Sequence, residues 1–273
     1  MNINQLIELS LSEDIRHGDI TTDFLDLKNK KIKAVLKAKE TGVLAGLEVA
    51  FQVFSAIDEK TKCKALKKDG DFLKKNDIIA EISGYSSSVL KAERVALNFL
   101  QRLSGIATLT NRFVQKIYPY KAWLLDTRKT TPLLRELEKY AVRIGGGFNH
   151  RFGLYDMIML KENHIKSAGS ITEAVKRVKA KNTSYKIEVE VTNSRELDEA
   201  VKAGADRVML DNMGVPEMQK AVEEYSGKVE LEASGNVKLD TIEEIAKTGV
   251  DFISCGALTH SYKSLDISLL FID

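Results

Sequence analysis

Cysteine, proline and tryptophan are scarce in this 273-residue chain, at two, three and one residues. Cys63 and Cys255 stand far apart and outside any Cys-x-x-Cys spacing, so neither a disulfide framework nor a structural zinc site is implied. A reducing compartment suits them. With few prolines, 44% hydrophobic and 29% charged residues, the chain is neither low-complexity nor disordered. It has no uncharged apolar run of the roughly 18 residues a membrane span needs. The first twenty residues carry Glu8, Glu13, Asp14 and Arg16 and lack the apolar stretch of a secretory signal. An excess of one charge is missing as well. A net charge of +2 gives no support for a nucleic-acid partner. These absences leave a folded protein expected in the cytoplasm, without membrane or nucleic acid as partner.

What is present divides into two parts. The first opens with an amphipathic helix carrying Ile3, Leu6, Ile7, Leu9 and Leu11. Ile32 to Lys39 then alternates apolar with basic residues, the period of a half-buried strand. Ile78 to Ile82 reads likewise, Gly46 to Ile57 reads as a helix, and Asp69-Gly70-Asp71 as a turn. Lysines from Lys60 to Lys75 alternate with Asp69, Asp71 and Asp77, which marks a solvated face. From Ser86 a helical pattern aligns Val89, Ala92, Ala96, Phe99, Leu100 and Leu103; a break is expected at Ser104-Gly105, then a second helix to about Tyr118-Pro119. The expected domains are 1–104, including this bridging helix, and 105–273, with the C-terminal tail packing back on the first.

The second part is a series of short apolar runs, each ending in a polar residue and followed by a helical segment. They are Ala122 to Leu125, Met157 to Leu160, Ile187 to Val191, Val208 to Leu210, Val229 to Leu231 and Phe252 to Ser254. From Lys161 to Glu190, Asp211, Ser234 and Gly256 the steps are 29, 21, 23 and 22 residues, each the length of a βα unit. Repeated units of that size specify a parallel sheet. Because nearly every strand ends in a chemically able residue, an α/β barrel with an active C-terminal rim fits better than an open sheet with one switch point. Six strands rather than eight make the barrel incomplete.

Arg128, Lys129, His150, Arg151 and Lys161 fall at the expected rim. Two unit charges about 4 Å apart repel by roughly 4 kcal/mol at an effective dielectric of 20, so such a group needs acids or a bound polyanion to offset it. The alternative is a set of surface ion pairs with Glu136, Glu138 and Asp156. Glu190 and Asp211 either cap the helices that follow or bind hydroxyls and a divalent cation held by phosphate oxygens. Ala233-Ser234-Gly235-Asn236 and Cys255-Gly256-Ala257 lie before expected helices, where small residues let a phosphate approach backbone N–H groups.

Several segments together resemble one family. Thr127-Arg128-Lys129-Thr130, Gly-Gly-Gly-Phe-Asn-His-Arg at 145–151, Met-Leu-Lys-Glu-Asn-His at 159–164, Glu-Val-Glu-Val at 188–191, Met-Leu-Asp-Asn at 209–212 and Glu-Ala-Ser-Gly-Asn at 232–236 resemble the signature series of the quinolinate phosphoribosyltransferases, or carboxylating nicotinate-nucleotide pyrophosphorylases. His17-Gly18-Asp19-Ile20-Thr21 and the segment from Glu93-Arg94 to Leu97-Asn98 also match. The resemblance implies an N-terminal α/β sandwich joined to an incomplete parallel α/β barrel of six to seven strands. It implies a pentosyltransferase that joins quinolinate to phosphoribosyl pyrophosphate, releases pyrophosphate and carbon dioxide, and forms nicotinate mononucleotide for NAD biosynthesis. It implies Mg²⁺ brought with substrate, and a homodimer or larger assembly whose active site is shared.

Carried over residue by residue, Arg128, His150, Arg151 and Lys161 would bind the quinolinate carboxylates, with Thr127 beside them and Lys129 near the pyrophosphate. Glu190 and Asp211 would hold ribose hydroxyls and Mg²⁺. Ser234, Gly235 and Asn236, with Cys255, Gly256 and Ala257, would take the 5′-phosphate. Lys129, Lys161, Glu190 and Asp211 form the expected catalytic set. Arg94 would reach the neighbouring subunit's site. Two positions depart from the family's usual pattern: Asn236 replaces a glycine and Glu162 an aspartate. The rivals are a molybdenum-transport-associated paralogue, in which the Met-Leu-Lys-Glu-Asn-His stretch is typically altered, and a non-catalytic anion-binding protein.

Overall fold

A computed structural model describes residues 2–27, 30–181 and 184–272, which fall into two units. The first comprises Met1–Leu109, Glu136–Gly145 and Tyr262–Asp273. Its opening helix, α1 (Ile3–Ile15), starts at Asn2, whose side chain accepts from the Gln5 amide at 2.9 Å while Gln5 accepts in return from the Asn2 amide. Of its expected apolar face, Ile7 and Leu11 are buried, and Leu9 is exposed. A short helix, α2 (Ile20–Phe24), follows behind an Asp19 cap.

The alternating run becomes β1 (Lys31–Ala38), with Ala34, Leu36 and Ala38 buried and Lys33 exposed. It is followed by β2 (Gly42–Val43), α3 (Leu47–Ile57), β3 (Lys62–Ala65), β4 (Phe72–Leu73) and β5 (Ile78–Tyr85). The C-terminal strand of the chain, β12 (Ile267–Ile272), pairs antiparallel with β1, giving the sheet order β12-β1-β5-β3.

The long helix α4 (Ser86–Ile117) departs from expectation: it runs through Ser104 and Gly105 without a break. Both residues serve packing instead. Ser104 Oγ accepts from the Ala45 amide at 3.0 Å, and Gly105 lies so close to the 263–264 backbone that a Cβ there would meet the Lys263 carbonyl oxygen at 2.3 Å. Glycine and serine read as helix breakers by propensity, and here tertiary contact overrides it.

The second unit, Thr110–Arg135 and Gly146–Ser261, alternates strand and helix. Its elements are β6 (Trp123–Leu125), α5 (Arg135–Ile144, mostly in the first unit), β7 (Ile158–Leu160), α6 (Glu162–Ala168), α7 (Ile171–Lys181), β8 (Ile187–Val191), α8 (Ser194–Ala203), β9 (Arg207–Asp211), α9 (Val215–Tyr225), β10 (Glu230–Ser234), α10 (Ile242–Lys247), β11 (Phe252–Ser254) and α11 (Ala257–His260). The six strands are parallel in the order β6-β11-β10-β9-β8-β7, and each expected run coincides with one of them to within a residue or, for β10, three.

Beyond the β6 edge, Phe148 adds a single parallel bridge to Leu125. Two residues later His150 contacts Glu188 on β8 and Glu232 on β10. A segment attached at one edge therefore touches β10 and, next to the far edge, β8. Only a sheet curled on itself permits that, and the curl is the barrel. Among the described residues no helix is long and apolar enough to cross a membrane.

Candidate active site

Parallel strands point all their C-terminal ends one way, so residues at those ends share a rim. Asp126 to Lys129 follow β6, His150 and Arg151 follow the Phe148 bridge, and Lys161 follows β7. Glu190 lies near the end of β8, Asp211 and Ser234 end β9 and β10, and Cys255 to Ala257 follow β11. Lys129 and Lys161 are exposed; Thr127, Arg128, Arg151, Glu190, Asp211, Ser234, Gly235, Gly256 and Ala257 are partly so, and Cys255 is buried.

Arg128, Lys129 and Arg151 are not spent on surface pairing. Glu138 goes to Arg102, and Asp156 accepts from the amides of Phe152 and Gly153. Among the described residues none of Arg128, Lys129 and Arg151 forms an ion pair with a carboxylate. Arg128 Nε is buried without a hydrogen-bond partner. Burial and the charge of Arg128 both pull the Arg151 guanidinium below its ordinary pKa. Two guanidinium groups near enough to influence each other, one with an orphaned buried N–H, are donors of the kind that suits planar anions.

The acids sit beside them. Lys161 Nζ lies 2.7 Å from Glu190 Oε2. Asp211 pairs in register with Ser234 across β9 and β10, and its Oδ2 accepts from Asn212 at 3.0 Å. Neither acid caps a helix: α8 is capped by Asn193 and α9 begins after Gly214. Both carboxylates lie at strand ends on the rim side. Glu190 and Asp211 fit a hard divalent ion accompanied by phosphate oxygens, since each is only partly engaged by protein.

The two small-residue loops differ from each other and from expectation. Asn236 precedes α10 by six residues, so 234–236 is a turn and not a helix terminus. Gly235 and Asn236 adopt left-handed conformations, with φ of 95° and 50°, and Asn236 Nδ2 donates to Asn212 Oδ1 at 3.0 Å. Asparagine is among the few side chains that tolerate this region. The second loop is tied to the first strand: the Cys255 amide donates to Leu125 O, and Thr259 Oγ1 donates to Lys129 O at 2.8 Å. Burial raises the Cys255 thiol. Arg94 lies on α4, exposed, next to half-buried Glu93.

Sequence reasoning missed a buried ionic layer below the rim. Glu188 and Glu232 are fully buried, His150 is 9% exposed, and Asp126 is fully buried. His150 Nε2 stands 3.1 Å from Glu188 Oε2 and 3.4 Å from Glu232 Oε1. Arg207 joins Glu232 and Glu230, each at 3.0 Å, and stacks on Phe252. Strands buried on both faces ordinarily read as unbroken apolar runs, so the glutamates inside Ile-Glu-Val-Glu-Val and Leu-Glu-Ala-Ser were the available signal.

Burial opposes a charged His150 ring, while Glu188 and Glu232 favour one. Nδ1, however, accepts from the Arg151 amide at 2.7 Å, where an imidazolium would set two N–H groups against each other. The backbone bond fixes the ring as the Nε2–H tautomer.

Residues 106–270 match the family model described as quinolinate phosphoribosyl transferase, C-terminal domain, and residues 19–104 match the corresponding N-terminal domain. A Bacillus subtilis protein named as a probable nicotinate-nucleotide pyrophosphorylase (carboxylating) is 44% identical over 98% of this chain and 93% of its own. An Arabidopsis thaliana protein, named as the chloroplastic enzyme, is 44% identical over 98% of this chain and 82% of its own. The structure of the Francisella tularensis nicotinate-nucleotide pyrophosphorylase superimposes with a TM-score of 0.96 at 46% identity, covering 99% of this chain and 96% of that one.

Proposed function

The chain belongs to the quinolinate phosphoribosyltransferase family, and from that premise we infer that it converts quinolinate and phosphoribosyl pyrophosphate to nicotinate mononucleotide, pyrophosphate and carbon dioxide. The observation that carries this reading is the unpaired arginine couple, Arg128 with its orphaned Nε and Arg151, set beside Lys161, Glu190 and Asp211 on one rim. A pocket for a single anion has no use for acids opposite its bases.

In this reading Arg128, Arg151 and Lys161 take the quinolinate carboxylates, with Thr127 at the turn and His150 behind Arg151. Lys129 faces the pyrophosphate. Both substrates are multiply anionic, and only a cationic site brings them together against their repulsion. As pyrophosphate leaves, positive charge develops at ribose C1, where Glu190 and Asp211 stabilise it and hold the hydroxyls. The quinolinate ring nitrogen forms the bond to C1. The adjacent carboxylate departs as carbon dioxide, leaving its electron pair on the ring carbon until a proton replaces it. Ser234 to Asn236, with Gly256 and Ala257, hold the 5′-phosphate through backbone N–H groups, and Cys255, whose amide is bonded to Leu125 O, anchors the second loop behind them. Magnesium, held at Glu190 and Asp211, would neutralise pyrophosphate charge.

We place the protein in the cytoplasm, consistent with two unpaired cysteines, and assign a homodimer in which Arg94 completes the neighbour's site. The paralogue reading is not favoured, because Met-Leu-Lys-Glu-Asn-His stands intact at 159–164. The test is direct: purified protein with Mg²⁺ and both substrates is expected to yield nicotinate mononucleotide in step with carbon dioxide. No product at high enzyme concentration rejects the reading.

A further inference from the structure

The buried layer beneath the rim touches no position assigned to substrate except through His150. Three donors, His150, Glu188 and Glu232, lie within 4.8 Å of one another, close enough to share a cation. Arg207 already supplies positive charge there, fixed by Glu230, Glu232 and the Phe252 ring. Neither oxygen of Glu188, nor Oε1 of Glu232, has a hydrogen-bond partner, so the contacts to His150 are short-range charge contacts, and the geometry of the layer is that of a support.

Each link is specific. Arg207 Nη1 holds one oxygen of Glu232, while the other faces His150 Nε2. Glu188 approaches the same nitrogen from β8. The ring is thereby held between two strands, and its far nitrogen, Nδ1, holds the Arg151 amide. On the other side Asp126 accepts the His150 amide at 2.8 Å and the Asn149 side chain at 2.6 Å. Arg151 Nη1 then reaches the Met157 carbonyl at 3.2 Å.

We propose that Glu188 and Glu232, backed by Arg207, are positioning residues for quinolinate: they fix the His150 ring, and the ring sets where Arg151 leaves the barrel to meet the carboxylate. The proposal rests on the function inferred above and deepens it. Neither glutamate touches substrate. A displacement of about 1 Å at a binding arginine costs on the order of a hundredfold, so the support is worth its desolvation.

The experiment first measures wild-type turnover, which tests the function alone, and then quinolinate and phosphoribosyl pyrophosphate binding by calorimetry in Glu188→Gln and Glu232→Gln. The expected result is a quinolinate Kd raised about ten- to hundredfold with the phosphoribosyl pyrophosphate Kd within about twofold. Equal weakening of both ligands, or unchanged quinolinate binding in an active enzyme, overturns the proposal. Nitrogen-15 spectra of wild-type protein provide a readout that requires no folded variant. His150 should show a protonated Nε2 and an unprotonated, hydrogen-bonded Nδ1, unchanged over about pH 6–8. A ring that titrates as a free imidazole overturns it equally.

Discussion

Gly235 shows how much a single residue decides at this rim. Its φ of 95° excludes most side chains, and a Cβ there would lie 2.2 Å from Asn212 Oδ1. Gly235→Ala should weaken phosphoribosyl pyrophosphate binding more than tenfold and cost about 1–3 kcal/mol of stability; calorimetry and thermal melts check it. Cys63 gives a pH test. Burial, with Glu48 adding to it, pushes its thiol up to about 11. Alkylation requires the thiolate, so iodoacetamide should modify Cys63 at pH 8 about two orders of magnitude more slowly than a free thiol, gaining about tenfold per pH unit until near 11. The rim residues were legible because polar side chains interrupt apolar runs at regular steps. Glu188, Glu232 and Arg207 were not, since their partners lie on other strands and no local spacing joins them.

Among elements, the six parallel strands were legible almost to the residue, whereas α4 was misread at Ser104-Gly105. Local propensity carries no record of the 263–264 backbone that packs there. The consequence inverts a familiar rule. Replacing glycine by alanine inside a helix ordinarily stabilises by about 1 kcal/mol. At Gly105 the added methyl group would stand 2.3 Å from the Lys263 carbonyl oxygen. Gly105→Ala should instead destabilise by about 1–3 kcal/mol, seen as an earlier denaturation midpoint at unchanged slope. A similar limit applies to the phosphate loops: the glycines marked the turns, but the sequence did not show that α10 begins six residues after Asn236.

For the molecule as a whole, the testable claim is that two chains make one site. Arg94→Ala and Lys161→Ala, each inactive alone, should regain about a quarter of the wild-type activity per total site when mixed at equal amounts and allowed to exchange subunits, because random pairing leaves one intact centre in half the dimers. No recovery after proven exchange rejects a shared site.

The His150 layer bears, finally, on how the chain acquires its shape. Its members come from positions 150, 188, 207 and 232, so the first cannot be secured until the last has been made. During synthesis from the N-terminus, β7 and β8 emerge while the Arg151 segment still lacks half its anchor. Under the proposed role of the layer, quinolinate recognition is among the last properties a nascent chain gains, and a chain stopped short of β10 would carry Arg128, Arg151 and Lys161 with only Glu188 of the two glutamates beside the His150 ring.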